Sequence, residues 1–185
     1  MGAEQAWLLA AIPAGVFFVL AIFGRALPRG GDYLGVAAIG TSFLLSFFVL
    51  GDLLGTEDKL GPITVSIEWS TIGKFELRQG IWIDPITVTM FGVITTVALM
   101  VNVFSIGYMK GEQRYYWFFA VLQLFVASML MLVMADNLLL VYISWELVGV
   151  CSFLLIGFYW EKRSATEAAK KAFITTRIGD VGLLI

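Results

Sequence analysis

The chain has 185 residues, of which 59% are hydrophobic and only 14% are charged, with a formal net charge of -2. A soluble domain carries about 25% charged residues, so this composition, with a mean hydropathy of +0.89, excludes a soluble globular enzyme. The acidic balance and the lack of a basic run argue against nucleic acid as a partner. With no histidine and one cysteine, the sequence predicts neither a metal or iron–sulfur cluster nor an internal disulfide.

Long apolar runs dominate the chain, and about 20 such residues cross a bilayer core as a helix. We expect the first run to be a retained span, because Glu4 precedes it and it has no basic leader. The last run meets Ile185 without a helix-ending signal, which predicts a fragment that stops in its sixth span. The six predicted spans are Trp7–Phe23, Tyr33–Leu54, Asp84–Met109, Tyr115–Ala135, Asn137–Trp160 and Ala165–Ile185.

The basic residues of the loops divide unequally between the two sides of these spans. Cationic loops favour the cytoplasmic side, so the division predicts an N-terminus outside. Eight basic residues fall on the predicted inner side: Arg25, Arg29, Lys110, Arg114, Lys162, Arg163, Lys170 and Lys171. Three fall on the outer side: Lys59, Lys74 and Arg78.

One long connection, residues 55–83, lies on the predicted outer side and alternates apolar and polar residues with a period of two. The alternation predicts a short extracytoplasmic β-hairpin whose turn is Ser70–Gly73. We favour a lid packed on the helix ends over a ligand site. At its end, Asp84 and Pro85 are typical of a helix cap and first helical residue. Asp136 and Asn137 predict a similar cap before the fifth span, and so tight a link places the fourth and fifth spans side by side and antiparallel.

Glu146 is the most unusual residue of the fifth span. It lies about 13 to 14 Å along the helix from Asn137, close to the middle of the bilayer. A charge there costs about 2.5 to 3.5 kcal/mol, and glutamate is too short to reach the interface. A cationic or hydrogen-bonding partner on another helix, or a protonated carboxyl, must offset that cost. We therefore favour a proton carrier over a fixed interhelical hydrogen bond.

Arg177 and Asp180 lie in the sixth span, three residues apart on one helical face, where they can pair. A structural pair and a functional one are equally compatible with this spacing. Glu167 and Lys171, spaced i,i+4 near the inner end, predict a solvated pair, with Lys171 also able to point into an ion path.

Two stretches carry a resemblance to a known family: DNLLLVYISWELVGVCSFLLIGFYW at 136–160 and KAFITTRIGDVG at 171–182. They resemble the large antiporter-like membrane subunit of respiratory complex I, which is subunit L in bacteria and subunit 5 of NADH dehydrogenase in mitochondria. DPITVTM at 84–90 and GYM at 107–109 are also similar.

The resemblance implies an all-α polytopic fold with an antiporter-like core of inverted repeats and broken helices. Residues 1–83 would then be leading helices and the hairpin, and 84–185 the start of the proton-translocating core. Glu146, in the family's W-E-x-x-G motif, would be half of a proton-translocating pair whose lysine lies in a following span. The T-R-x-G-D motif adds functional weight to Arg177 and Asp180.

The function that the resemblance implies is proton translocation in an NADH:quinone oxidoreductase, a translocase whose redox sites lie outside this chain. We expect NADH, FMN, iron–sulfur clusters and quinone to be bound by partner subunits, and other membrane subunits, lipid and protons to be the partners here. The expected location is a bacterial inner membrane or a mitochondrial one. The alternatives are a related subunit of a sodium/proton antiporter, a membrane-bound hydrogenase or an inorganic-carbon uptake complex, or a static membrane scaffold.

Overall fold

The computed structural model of the protein describes residues 5–55, 63–72 and 75–184. Six α-helices and one two-stranded antiparallel sheet form the described part. The helices are α1 Trp7–Phe23, α2 Asp32–Leu54, α3 Pro85–Tyr108, α4 Tyr115–Met134, α5 Leu138–Ile156 and α6 Arg163–Leu184, and the strands are β1 Ile63–Ile72 and β2 Phe75–Ile83. The predicted all-α membrane fold with a small hairpin is therefore confirmed.

Membrane-spanning length and apolarity are clearest in the four central helices. With the short 3-10 turns that flank two of them, the spans are Pro28–Leu54, Pro85–Tyr108, Tyr115–Met134 and Leu138–Tyr159. The α1 helix is apolar but has only 17 residues. The α6 helix has 22 residues, about 33 Å at 1.5 Å each, yet it carries charged side chains along its length. In the described part of the chain α6 is therefore not among the helices apolar enough to cross a membrane, and the sixth span at Ala165–Ile185 stays a prediction.

The helix caps predicted at 84 and 137 are present. The Asp84 carboxylate accepts a hydrogen bond of 2.7 Å from the backbone N–H of Thr87, and Pro85 occupies the first helical position. The Asn137 side-chain oxygen accepts one of 2.8 Å from the N–H of Leu140. Each cap satisfies a backbone donor that the helix itself cannot. The backbone N–H of Thr87 lowers the pKa of the Asp84 carboxyl from its usual 3.8.

Replacing Asp84 by Ala is expected to destabilise the protein by about 1 kcal/mol, because the cap at α3 is lost. Asp84→Asn, an equally good cap, should keep that stability. Since the folded pKa of Asp84 is lowered, its charged cap stabilises the fold above pH about 4 and is lost as the pH falls through that pKa. Thermal denaturation of the full-length protein in detergent, from about pH 6 to about pH 3, measures this. The native protein should lose more stability with acid than Asp84→Asn, and identical acid sensitivity would contradict the capping role.

The hairpin corrects one part of the sequence prediction. The strands pair from Ile63 opposite Ile83 to Ile72 opposite Phe75. The predicted turn at Ser70–Gly73 is wrong for Ser70 to Ile72, which belong to β1 and pair with β2, while Gly73 lies outside the described residues. A register shift between Glu68 and Ser70 adds one residue to β1 relative to β2.

The base of the hairpin is joined to the helices. Ile83 is fully buried and belongs to the main apolar cluster, with Phe91 of α3 and Met134 of α4. Ile81 also makes an isolated antiparallel bridge with Ala135, in the link between α4 and α5. The hairpin is thus anchored by backbone pairing as well as by apolar packing, in keeping with the predicted lid.

The α4 helix is the centre of the bundle, packing against α1, α3 and α5, and α2 packs on α3. The expected neighbouring arrangement of the fourth and fifth spans is therefore present. Lipid tails are as apolar as the side chains, so close packing and polar bonds must hold such spans together. Examples of such bonds between helices are the Ser42 hydroxyl, which donates to the Leu9 carbonyl at 2.9 Å, and Gln123 Nε2, which donates to Asn102 Oδ1 at 3.0 Å.

Candidate functional site

The α5 and α6 helices bring the three predicted intramembrane charges together. The connection between them is the Gly157–Tyr159 turn and a few following residues, which lets α6 fold back along α5. A Cβ at Gly157 would lie 3.3 Å from the Ala169 side chain, so small residues permit this close approach. Glu146 on α5 consequently faces Arg177 and Asp180 on α6.

Arg177 is shared between two carboxylates. Its Nη1 atom contacts Glu146 Oε2 and lies 3.6 Å from Asp180 Oδ2. The Arg177–Asp180 pair expected from their spacing is present, but it is not isolated, because the same guanidinium nitrogen also serves Glu146. Arg177 therefore provides the cationic partner on a neighbouring helix that the depth of Glu146 requires.

Two aromatic residues complete the cluster, and the sequence reasoning gave neither of them a specific role. The Trp145 indole donates a hydrogen bond of 2.8 Å to Asp180 Oδ1. The Arg177 guanidinium lies 4.6 Å from the centre of the Phe173 ring, a cation–π distance. Phe173 precedes Arg177 by one helical turn, a spacing that could have indicated this contact. No comparable signal linked Trp145 to Asp180.

The two carboxylate side chains are more deeply buried than the arginine side chain. The side chain of Glu146 is 17% exposed and that of Asp180 8%, whereas Arg177 is 35% exposed. Within the described part of the chain, the second carboxylate oxygen of Glu146 is buried without a hydrogen-bond partner. Glu146 thus has one oxygen held by a cation and one unsatisfied oxygen in a poorly solvated place.

A carboxylate whose counter-charge has a second partner is chemically suited to proton exchange. While Arg177 touches Glu146, the carboxylate is neutralised as an ion pair. A guanidinium that moved from Glu146 to Asp180 would leave Glu146 without its counter-charge in a low-dielectric surrounding, where a neutral carboxyl is favoured. Asp180 also accepts the hydrogen bond from the Trp145 indole, which does not depend on Arg177. The movement of one side chain can therefore load or release a proton.

Lys171 is exposed, and its part in an ion path stays a prediction. The predicted Glu167–Lys171 pair is wrong, since Glu167 instead binds Arg163 at 2.9 Å. Glu167 has a basic residue four positions away on either side, so the spacing could not decide between them. Among the described residues, no group of three or more histidine, cysteine, aspartate or glutamate side chains is placed to hold a metal ion.

Four helices long and apolar enough to cross a membrane, with an arginine and two carboxylates where α6 packs on the last of them, define a polytopic membrane protein with a charge cluster at the α5–α6 contact. Residues 69–119 match the family described as "NADH-Ubiquinone oxidoreductase (complex I), chain 5 N-terminus". Residues 135–185, which contain the whole cluster, match that described as "NADH:quinone oxidoreductase/Mrp antiporter, TM". The chain belongs to the family of membrane subunits that these two descriptions cover.

Similar proteins come from distant organisms. The chain is 42% identical to the NAD(P)H-quinone oxidoreductase subunit 5 of the Paulinella chromatophora chromatophore, over 98% of its own length. It is also 42% identical, over 98% of its length, to the F(420)H(2) dehydrogenase subunit L of Methanosarcina mazei. Identity to the NADH-quinone oxidoreductase subunit L of Mycobacterium tuberculosis is 38% over the whole chain. The chain spans only 28%, 26% and 29% of these relatives, respectively.

Two solved structures share the fold. The Mrp complex from Dietzia sp. superposes with a TM-score of 0.76 at 23% identity, covering 97% of this chain and 18% of the matched one. The membrane-bound sulfane sulfur reductase, an archaeal respiratory complex, superposes with a TM-score of 0.81 at 16% identity, covering 97% and 35%. Both confirm an antiporter-like helical arrangement.

Proposed function

We propose that this chain is part of a proton-translocating membrane subunit of an NADH:quinone oxidoreductase. Glu146 carries the proton, and Arg177 and Asp180 set when it is bound or released. The observation that carries the proposal is the sharing of Arg177 Nη1 between Glu146 and Asp180 across the α5–α6 contact. A static scaffold needs only one carboxylate for one arginine, whereas a switch needs two alternatives for the same cation.

The relatives support the separation of proton movement from redox chemistry. One relative is named for NAD(P)H and another for F(420)H(2), and this chain is 42% identical to both. Since the electron donor named differs while this segment is equally similar, the segment does not select the donor. We infer that electron transfer takes place in partner subunits, which hold NADH, FMN, iron–sulfur clusters and quinone.

The orientation of the chain is also part of the proposal. Placing the more basic loops on the cytoplasmic or matrix side puts the N-terminus and the hairpin outside. Glu146 would then lie roughly midway, and protons would reach it from the inner side and leave outward. The lysine expected in a following span would take the proton from Glu146 when Arg177 returns.

Reconstitution of the complete complex tests the proposed function against its antiporter alternative. Proteoliposomes would receive NADH and quinone, and a pH-sensitive dye would report acidification of the lumen. We expect a proton gradient that depends on both substrates, that a protonophore collapses and that a sodium ionophore leaves intact. A gradient abolished by the sodium ionophore, or no gradient despite quinone reduction, would contradict the proposal.

A further inference from the structure

A basic cavity of about 750 Å³ lies at the predicted inner end of the bundle, away from the charge cluster. The loop between α1 and α2 forms one wall, and the loop between α3 and α4 forms the other. Its lining includes four cationic side chains and one carboxylate: Arg25, Arg29, Lys110, Arg114 and Asp32.

The single carboxylate of this cavity is already satisfied. The Asp32 side chain is 3% exposed, accepts a 2.9 Å hydrogen bond from the Tyr115 hydroxyl and lies 3.6 Å from Arg29. The excess positive charge therefore comes from Arg25, Lys110 and Arg114. Arg25 and Lys110 are exposed. Arg25 donates from Nε to the Tyr116 hydroxyl at 3.0 Å, and that neutral partner leaves the charge of its guanidinium available to a ligand from the membrane surface.

The backbone of the first wall is held in an uncommon conformation. Arg29, Gly30 and Gly31 all have positive φ, at 56°, 67° and 76°. Such a conformation is unfavourable for arginine and persists only where the surroundings enforce it. At Gly30 a Cβ would lie 3.0 Å from the Tyr115 ring, so glycine is also needed for space. The turn directs Arg29 back to Asp32, and it shapes the rim of the cavity.

Apolar side chains beside the cavity identify the source of the ligand. Phe23, next to the lining residue Gly24, is 59% exposed, and Tyr108, next to Gly107, is 68% exposed. Phe23 lies at the end of the shorter apolar helix α1, and Tyr108 lies at the end of the membrane-length helix α3, where lipid tails begin. A free anion would use only the cations, whereas a phospholipid would use the cations and this apolar surface together.

We propose that this cavity binds the phosphate of an anionic phospholipid, with its acyl chains against Phe23 and Tyr108. Guanidinium groups match phosphate oxygens in geometry as well as charge, and basic pockets between transmembrane helices are suited to such headgroups. The lipid would join the α1–α2 and α3–α4 loops and so fasten the leading helices to the start of the antiporter-like core.

The test uses the full-length protein in its purified complex, titrated with fluorescent phosphatidylglycerol in neutral detergent. The double variant Arg25→Gln and Lys110→Gln removes two charges while leaving the Arg29–Asp32 pair intact. Each cation is expected to contribute about fivefold to the affinity, so loss of both should weaken binding by about 30-fold. Lys162→Gln with Arg163→Gln removes the same charge from the same membrane side outside this cavity, and should change binding less than about twofold.

A second variant, Arg25→Lys with Lys110→Arg, keeps the charges and should keep the binding, which guards against a folding defect. Unlabelled phosphatidylglycerol should displace the probe, whereas phosphatidylcholine and inorganic phosphate should not. Equal binding by the native protein and the Gln variant would overturn the proposal. So would displacement by phosphatidylcholine, or by inorganic phosphate at matched concentration, because either would remove the need for an anionic lipid.

Discussion

Replacing Glu146 by Gln is expected to abolish proton translocation through this subunit while leaving the complex assembled. Gln keeps the volume of Glu but cannot carry a proton at neutral pH. Loss of a positioned proton-transfer group slows the step by roughly 100-fold or more. Assembly should survive because Arg177 keeps Asp180, 3.6 Å away, as a counter-charge. The measurement is the number of protons moved per NADH oxidised in proteoliposomes of the complete complex.

A matched control is available on the same pair of helices. Glu167→Gln also removes one carboxylate, but Glu167 is an exposed residue paired with Arg163 on the surface of α6. The ratio of protons to NADH should fall in Glu146→Gln and stay at the native value in Glu167→Gln. An unchanged ratio in an assembled Glu146→Gln complex would show that Glu146 only joins the two helices.

Replacing Arg177 by Gln has the largest expected effect on stability. The change leaves the carboxylates of Glu146 and Asp180 without a cation in a place of low exposure. Removing one partner of a buried ion pair costs about 3 to 5 kcal/mol. Because Arg177 is 35% exposed, we expect the lower end, about 3 kcal/mol. Thermal inactivation of the solubilised complex, and the amount assembled on native gels, would measure the loss.

A double variant distinguishes a lost ion pair from a lost packing contact. Glu146→Gln combined with Arg177→Gln leaves only Asp180 charged, and its hydrogen bond from Trp145 remains. The double variant should therefore be more stable than Arg177→Gln alone, since one unpaired charge has been removed. Arg177→Lys, which keeps the charge but not the planar group over Phe173, should lie in between. A double variant as unstable as the sum of both changes would contradict the shared-cation arrangement.

The helices could be predicted from sequence because lipid imposes a simple length and hydropathy requirement. The first span was predicted at the observed Trp7–Phe23, and the caps Asp84 and Asn137 follow from local hydrogen bonding that side-chain chemistry dictates. The hairpin turn was misplaced because Ser70 and Thr71, whose residue types also suit a turn, continue the pairing of β1 with β2. Likewise, Arg163 and Lys171 are both four residues from Glu167, and only the side-chain conformations in the folded protein decide which of them it binds.

The charged residues of the cluster could be predicted from the sequence, but the contacts between them could not. The cost of charge in lipid singles out Glu146, Arg177 and Asp180 from one sequence. That Arg177 reaches Glu146, and that Trp145 reaches Asp180, depends on how α5 and α6 are rotated and shifted against each other. No periodicity within either helix contains that information. Contacts between helices could therefore not be predicted from this sequence.

Infrared difference spectroscopy of the working complex tests most directly whether Glu146 changes protonation. The spectrum would be recorded as NADH and quinone drive turnover, following the carbonyl stretch of a protonated carboxylic acid. We predict a carbonyl band that appears and disappears with turnover in the native complex and is absent in Glu146→Gln. An identical band in both, or none in a native complex that pumps protons, would contradict the assignment of Glu146 as the proton carrier.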